Sequence, residues 1–409
     1  MIQIKPIMTG ESFCECGGSY KFDGLLWQGL HVCEQFTCER CKDQAIKSLP
    51  VNQAFLEQYS YYPRTGLIRD HRSNIIKDNW FSVKLKSMGN PRTEKVILNV
   101  DIFKKYEEIL ILNTLDYIYG HSLLFLLNLQ RIIKAEDDKG IVVIVQPMMK
   151  WLIPEEYVAE IWTVNLSFNQ LIHYYNDLSE KINSEMSRFR KVWLSTGHVI
   201  PTNENIDIKK FTGISRFDFS LKPEKPRITF IWRQDPDRLW IRNIFILKGF
   251  KKLRISGILI PFHYYKVLMY LAKLRKMLGH EYCYTVAGLG TYGKFAPWIQ
   301  DKRVRSFSEN IERMLCIVYA ESILVTGVHG SSMLLPSAHA GMAISLMPSK
   351  RWGNYAEDIL FVEDDVRLAA FQRRIVPLNI NISDVCDIAG DMVKGREYFI
   401  RKFIHSNEL

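Results

Sequence analysis

Two close pairs of cysteines give this chain its first recognisable chemistry. Cys14 and Cys16 stand as C-x-C, followed by Gly17 and Gly18, and Cys38 and Cys41 stand as C-x-x-C. When two turns bring such pairs together, four thiolates close a tetrahedral metal site, the plan of a zinc ribbon. The glycines let backbone amides face the first thiolates. Four thiolates leave no open position for a substrate, so the zinc expected there is structural. His31 and Cys33 lie between the pairs as reserve ligands, and Cys33 could replace a member of the first pair. Cys283, Cys316 and Cys386 are scattered and read as small core residues.

A second set of residues suits a phosphate ligand. The apolar run Ile323–Val325 reads as a buried strand, and Thr326-Gly327-Val328-His329-Gly330 as a glycine-flanked turn. Ser331-Ser332 then open a short helix as N-caps, Gly341 closes it, and Ala343–Met347 reads as the next strand. Free N–H groups at such a helix start suit a diphosphate, and glycine lets it approach the backbone.

The elements that must hold these residues follow from the rest of the pattern. At 409 residues, with 47% hydrophobic and 12% aromatic content, the chain is globular and long enough for two domains. Strands are expected at Glu108–Leu112, Ile141–Val145, Val158–Val164 and Val192–Ser195. Helices are expected at Ser122–Ile133 and Ser167–Phe189. Residues 197–226, rich in Gly, Pro, Asn and Lys, read as a linker. The pattern restarts with strands Arg227–Trp232, Glu281–Ala287 and Val304–Phe307 and helices Tyr264–Leu278 and Glu309–Ala320. Val385–Ile404 reads as a closing helix able to pack back onto the first half. The expected organisation is a cysteine-rich, zinc-ribbon-like module over 1–50, Rossmann-like domains over 51–215 and 216–385, and the closing helix over 386–409. This α/β arrangement, two Rossmann-like domains facing across a cleft, is the GT-B architecture of nucleotide-sugar glycosyltransferases.

Two motifs add a resemblance. Tyr119-Gly120-His121-Ser122-Leu123-Leu124, with a Leu-rich helix running to Arg131, resembles a Y-G-H-x-L-L…R signature. Gly327-Val328-His329-Gly330-Ser331-Ser332 resembles a G-x-H-G-A-G loop, with Ser-Ser in place of Ala-Gly. With the strand that ends in Arg233, they are similar to the inverting glycosyltransferase family that contains plant xylosyltransferases and secretory-pathway O-GlcNAc transferases. The resemblance covers roughly residues 105–350, and a similar C-terminal unit occurs in heptosyltransferases. It implies transfer of a sugar from a nucleotide-sugar donor to a glycan, lipid-linked or protein acceptor. Arg233 is then expected to grip the diphosphate through its guanidinium fork, with Arg238 a second candidate. Gly327, His329, Gly330, Ser331 and Ser332 would line the same diphosphate. Glu309 would bind the ribose or complement its helix dipole. Either His121 or Asp116 would be the base for the acceptor hydroxyl. Asp235-Pro236-Asp237 is the one D-x-D in the chain and lacks an apolar, strand-ending context, so transfer without a metal is expected.

The net charge of +10 suits an anionic ligand, an anionic membrane surface or nucleic acid. Local clusters stand at Arg188–Lys191, Lys248–Arg254 and Arg396–Lys402. The rival reading is a zinc-ribbon nucleic-acid-binding or partner-binding protein on a catalytically inactive α/β scaffold. Glu11, Glu15, Glu34 and Glu39 on the cysteine segment argue against phosphate contact there. With neither a leader-like N-terminus nor an apolar run long enough to span a bilayer, a cytoplasmic location is expected, with peripheral contact at the inner face of the membrane.

Overall fold

The computed structural model describes residues 1–6, 13–55, 57–70, 79–135, 138–197, 204–221, 223–241 and 256–404. The chain divides into two compact units, Met1–Ile200 and Pro201–Leu409.

The first unit opens with β1 (Ile2–Lys5), followed by an antiparallel meander of β2 (Tyr20–Gln28), β3 (His31–Cys38), β4 (Gln44–Ser48), β5 (Tyr59–Tyr62) and β6 (Leu67–Asp70). A second sheet takes β7 (Leu98–Ile102), β8 (Glu108–Asn113), β9 (Gly140–Val145), β10 (Glu160–Val164) and β11 (Lys191–Leu194) in the order β1-β11-β8-β9-β10-β7. The four central strands are parallel, and β1 and β7 add antiparallel edges. All six residues of β9 and all five of β10 are buried, as expected for parallel strands covered on both faces. The expected 1–50 module is not separate. Leu25, Trp27 and Val32 share one core with Ile109, Val142 and Trp162. The Trp27 amide donates to Ser179 Oγ (2.8 Å) and its indole to Asn183 Oδ1 (3.1 Å). The meander also runs on to Asp70, because β5 buries Tyr59 and Tyr61 against Phe81 and Leu85.

The second unit has six parallel strands: β12 (Arg227–Arg233), β13 (Cys283–Leu289), β14 (Ile299–Val304), β15 (Ser322–Val328), β16 (Met342–Met347) and β17 (Arg373–Pro377). Their order is β14-β13-β12-β15-β16-β17. Counted from β12 this reads 3-2-1-4-5-6, the doubly wound order of dinucleotide-binding sheets. The α/β class expected from the sequence is thus what both units adopt.

Several boundaries differ from expectation for local reasons. The helix expected over Ser122–Ile133 is α1 (Tyr119–Leu127) and a second helix over Leu129–Ala135. Between them the Asn128 side chain donates to the carbonyls of Leu124 and Phe125 and replaces backbone partners. The helix expected over Ser167–Phe189 shortens to α2 (Asn176–Ser187), since Tyr174 and Tyr175 turn into the core just before it. The strand expected at Val304–Phe307 ends at Val304 instead; β14 is an edge strand whose outward residues are charged, which hid it. The closing helix (Ile382–Phe399) belongs to the second unit's core. There Val385, Ala389 and Val393 pack with Tyr270 and Leu274 of the helix Ile260–Leu278.

Candidate functional site

In an open doubly wound sheet, ligands gather at the carboxyl ends of the strands, where the strand order reverses. In the second unit that point lies between β12 and β15, so it falls between Arg233 and the turn of His329 and Gly330. Gly330 adopts φ +135° and ψ −167°, a conformation close to glycine-only. The Arg238 guanidinium lies directly over it. A Cβ on Gly330 would stand 2.1 Å from Arg238 Nη1. From there Nη1 donates to the His329 carbonyl at 2.6 Å. Partial burial, reinforced by the neighbouring cations Arg351 and Arg233, pushes Arg238 down to about 10. It remains a cation at neutral pH and lacks a carboxylate of its own within ion-pair distance among the described residues. Arg351 and Arg233 are thus cationic neighbours of Arg238, with Asp235 and Asp237 opposing them.

The other expected residues fall as follows. Arg233 is less available than Arg238, because its Nε and Nη2 both bind Asp235 Oδ2 at 2.7 and 2.6 Å. Asp237 pairs with Lys350 at 3.1 Å, so both carboxylates of the D-x-D face cations. Gly327 lies inside β15, where a Cβ would meet Met333 Sδ at 2.5 Å and Ile231 Cβ at 2.9 Å; it is a packing glycine. Ser331 and Ser332 are partly exposed in a 3-10 turn that leads into the six-residue helix Leu334–His339. Neither hydroxyl caps it; Gly330 holds the N-cap position of the turn. The His329 amide is spent on the Leu346 carbonyl (3.0 Å), and its buried ring lies 3.6 Å from Asp358. Asp358 also meets Ser345 Oγ at 2.8 Å and Arg373 at 3.1 Å. Burial would raise Asp358, but Arg373, His329 and Ser345 outweigh it and hold the carboxylate below its usual range. Glu309 starts the helix Glu309–Ala320, half exposed and paired with Arg313 at 3.2 Å.

In the first unit, Asp116 and His121 follow β8, which is the reversal point of that sheet. They form one pair. Asp116 is fully buried; its Oδ1 accepts the Ile118 amide at 2.8 Å, and its Oδ2 faces His121 Nδ1 at 3.1 Å. In the neutral tautomer that donates from Nδ1 to this carboxylate, Nε2 carries the ring's lone pair. The His121 side chain is 17% exposed and packs beside Trp80 and Phe125.

At the meander's end, Cys14, Cys16, Cys38 and Cys41 bring their sulfurs within 4.8 Å of one another, a group that could hold a metal ion. The Cys14–Cys41 and Cys16–Cys38 sulfurs are 3.6 and 3.5 Å apart, well beyond a disulfide bond. The backbone N–H of Cys41 points at the Cys38 sulfur and holds that thiol down to about 6. Gly18 backs the cluster; a Cβ there would stand 2.8 Å from Cys38 Sγ and 3.3 Å from Cys16 Sγ. The reserve ligands lie elsewhere. His31 is buried, bonded to the Phe81 carbonyl and pushed down to about 4 by burial; Cys33 is buried and its thiol pushed up.

Among the described residues, members of the basic clusters have acidic or aromatic partners. Arg188 binds Glu160 at 2.6 Å, and Arg190 and Lys191 bind Glu108. Arg396 lies on the Phe219 ring, 3.6 Å from Glu363. The cluster Lys248–Arg254 lies outside the described residues. Sequence reasoning missed Lys350 and Arg351, in the 3-10 turn after β16, and Asp358 and Arg373, which meet beside the His329 ring; none of the four carries a local motif.

No protein-family description and no curated protein matches the chain. Among solved structures it is similar to ADP-heptose LPS heptosyltransferase II of E. coli, at 12% identity over 71% of this chain and all of that one, with a TM-score of 0.36, a degree of likeness that says nothing of activity.

Proposed function

We propose that the protein is an inverting glycosyltransferase of the GT-B kind, which moves a sugar from a nucleotide-sugar donor to a glycan, lipid-linked or protein acceptor. The observation that carries this is Arg238, a crowded cation held over a glycine-only turn at the switch point of a 3-2-1-4-5-6 sheet. In this reading Arg238 and Arg351 meet the donor diphosphate, Arg233 joins when it leaves Asp235, and the Ser331 and Ser332 amides complete the cradle. His121 Nε2 removes the proton of the acceptor hydroxyl, and Asp116 orients the ring and balances the imidazolium that forms. The acceptor oxygen attacks the anomeric carbon, the bond to the diphosphate breaks, and a single displacement inverts that carbon. Gly327, His329 and Glu309 act as supports for packing and fold.

We also infer that the four cysteines hold structural zinc. Four sulfurs around tetrahedral zinc stand about 3.8 Å apart, and the two measured pairs stand close to that. The metal would tie the loop before β2 to the β3–β4 turn.

A thermal-shift screen of nucleoside diphosphates and nucleotide sugars tests the donor half, since a ligand at 100 times its Kd adds about 2.7 kcal/mol to stability. Absence of any shift would refute it. With the donor known, His121→Ala and Asp116→Asn test the other half. Turnover should fall by roughly 10²–10⁴ for His121→Ala, with donor affinity near wild type. Wild-type turnover in both variants, or lost donor binding in either, would overturn the division of labour.

A further inference from the structure

The helix Ile260–Leu278 is apolar on both sides. Its inner face buries His263, Val267, Tyr270, Leu271, Leu274 and Leu278. The opposite face should then be polar in a helix that meets water. It is not. Phe262 and Tyr265 are each 61% exposed and Met269 is 44% exposed, with Ile258 54% exposed in the turn just before. Spacings of four, three and four residues put them on one line. The line continues through exposed Ala272 to exposed Lys276, with Lys273 beside it. The helix contains four cations, Lys266, Lys273, Arg275 and Lys276, and no Asp or Glu. The Lys273 ammonium bonds to the neutral Ser383 hydroxyl, so its charge is not cancelled there.

We propose that this stripe is a docking surface for an anionic lipid bilayer. Its composition matches a helix that lies in the interface, with aromatic and aliphatic side chains among the acyl chains and lysines at the headgroups. No helix among the described residues is long and apolar enough to cross a membrane, and the contact proposed lies along the surface of this one. A second copy laid parallel along the same stripe would set cations against cations, and one laid antiparallel would set Lys273 and Lys276 against the apolar Ile258–Phe262 end, so either arrangement disfavours that occupant. The adjacent helix Ile382–Phe399 exposes Asp384, Asp387 and Asp391, a row that anionic lipid repels, and this confines the contact to the stripe.

The test is flotation of the full chain with vesicles of phosphatidylglycerol or of phosphatidylcholine. Binding to the first and not the second is expected, weakened by salt. Replacing Phe262→Ser and Tyr265→Ser together should lower partitioning by about 10-fold or more, the scale of losing one well-buried aromatic. Lys276→Glu should weaken it further. Because these side chains are exposed, the thermal midpoint should not move. No flotation with phosphatidylglycerol, flotation untouched by the double replacement, or a dimer in solution that the double replacement abolishes would each overturn the proposal.

Discussion

Gly330→Ala is the sharpest probe of the anion cradle. The new methyl carbon would lie 2.1, 2.3 and 2.4 Å from Arg238 Nη1, Cζ and Nη2, and φ +135° is a conformation that alanine avoids. The backbone strain costs about 1–3 kcal/mol. The guanidinium is the far end of a flexible side chain, so it swings away and gives up its bond to the His329 carbonyl, a charge-assisted bond of about 1.5–3 kcal/mol. Relaxation overlaps the two, and a net loss of roughly 2–4 kcal/mol in stability is expected. The unit should still fold, because the cores around Phe230 and Tyr270 are untouched. Nucleoside diphosphate affinity should fall by about 30-fold or more, since the displaced cation is the proposed phosphate ligand. Calorimetry with nucleoside diphosphate and inorganic pyrophosphate reads the affinity, and thermal unfolding reads the stability. Gly327→Ala is the control: its clash is with Met333 and Ile231, so it should lower stability while sparing affinity in the molecules that remain folded. Undiminished affinity in Gly330→Ala would show that Arg238 does not hold the ligand.

Purified protein should carry about one zinc per chain, and Cys38→Ser or Gly18→Ala should lower that content; elemental analysis showing full zinc in Cys38→Ser would exclude the cluster. Stability should drop in mild acid. Burial holds His31 down to about 4, His263 to about 3 and His339 to about 4, so all three stay neutral in the fold. Below the unfolded value near 6.5 only the unfolded chain takes up these protons, so stability is lost as pH falls from about 6.5 toward 4, by about 1.4 kcal/mol per pH unit for each histidine. Denaturant titrations at pH 7 and pH 5 check this, and equal stability at the two would refute it.

How much of this could be read from residues alone varied with locality. The β15–turn–β16 unit and the helix Glu309–Ala320 were legible because their apolar runs and breaks are short-range. So was the cysteine quartet, whose spacing specifies chemistry directly. In the sequence Arg233 ranks above Arg238, because its fork ends a strand whereas an Arg in an Asp-rich loop is commonly solvated. Whether a nearby Asp takes that fork depends on side-chain geometry, and Asp235 takes Arg233. Asp116 and His121 stood as alternatives in the sequence, and only the turn after β8 shows them as partners. Asp358, Arg373 and Arg351 reach the site through strand order, which no local window contains. The charged edge strand β14 and the packing of Trp27 against α2 were hidden for the same reason.

The pairing of β1 with β11 matters for how the first unit forms. Ile2 lies beside Leu194, and the Lys5 ammonium binds the Phe189 carbonyl at 2.6 Å and the Ser187 carbonyl at 2.9 Å, closing the end of α2. These are contacts between the two ends of the unit, the most non-local it has. During synthesis at about 5–20 residues per second, β1 must wait roughly ten to forty seconds before its partner strand exists. Throughout that time the β1 segment stays without its partner strand. Closure of this ring is therefore a late event in folding, governed by loop entropy more than by local preference. It also makes the unit's stability sensitive at both ends at once. Loss of the first five residues would uncover the β11 edge and fray α2, far along the chain from the cut.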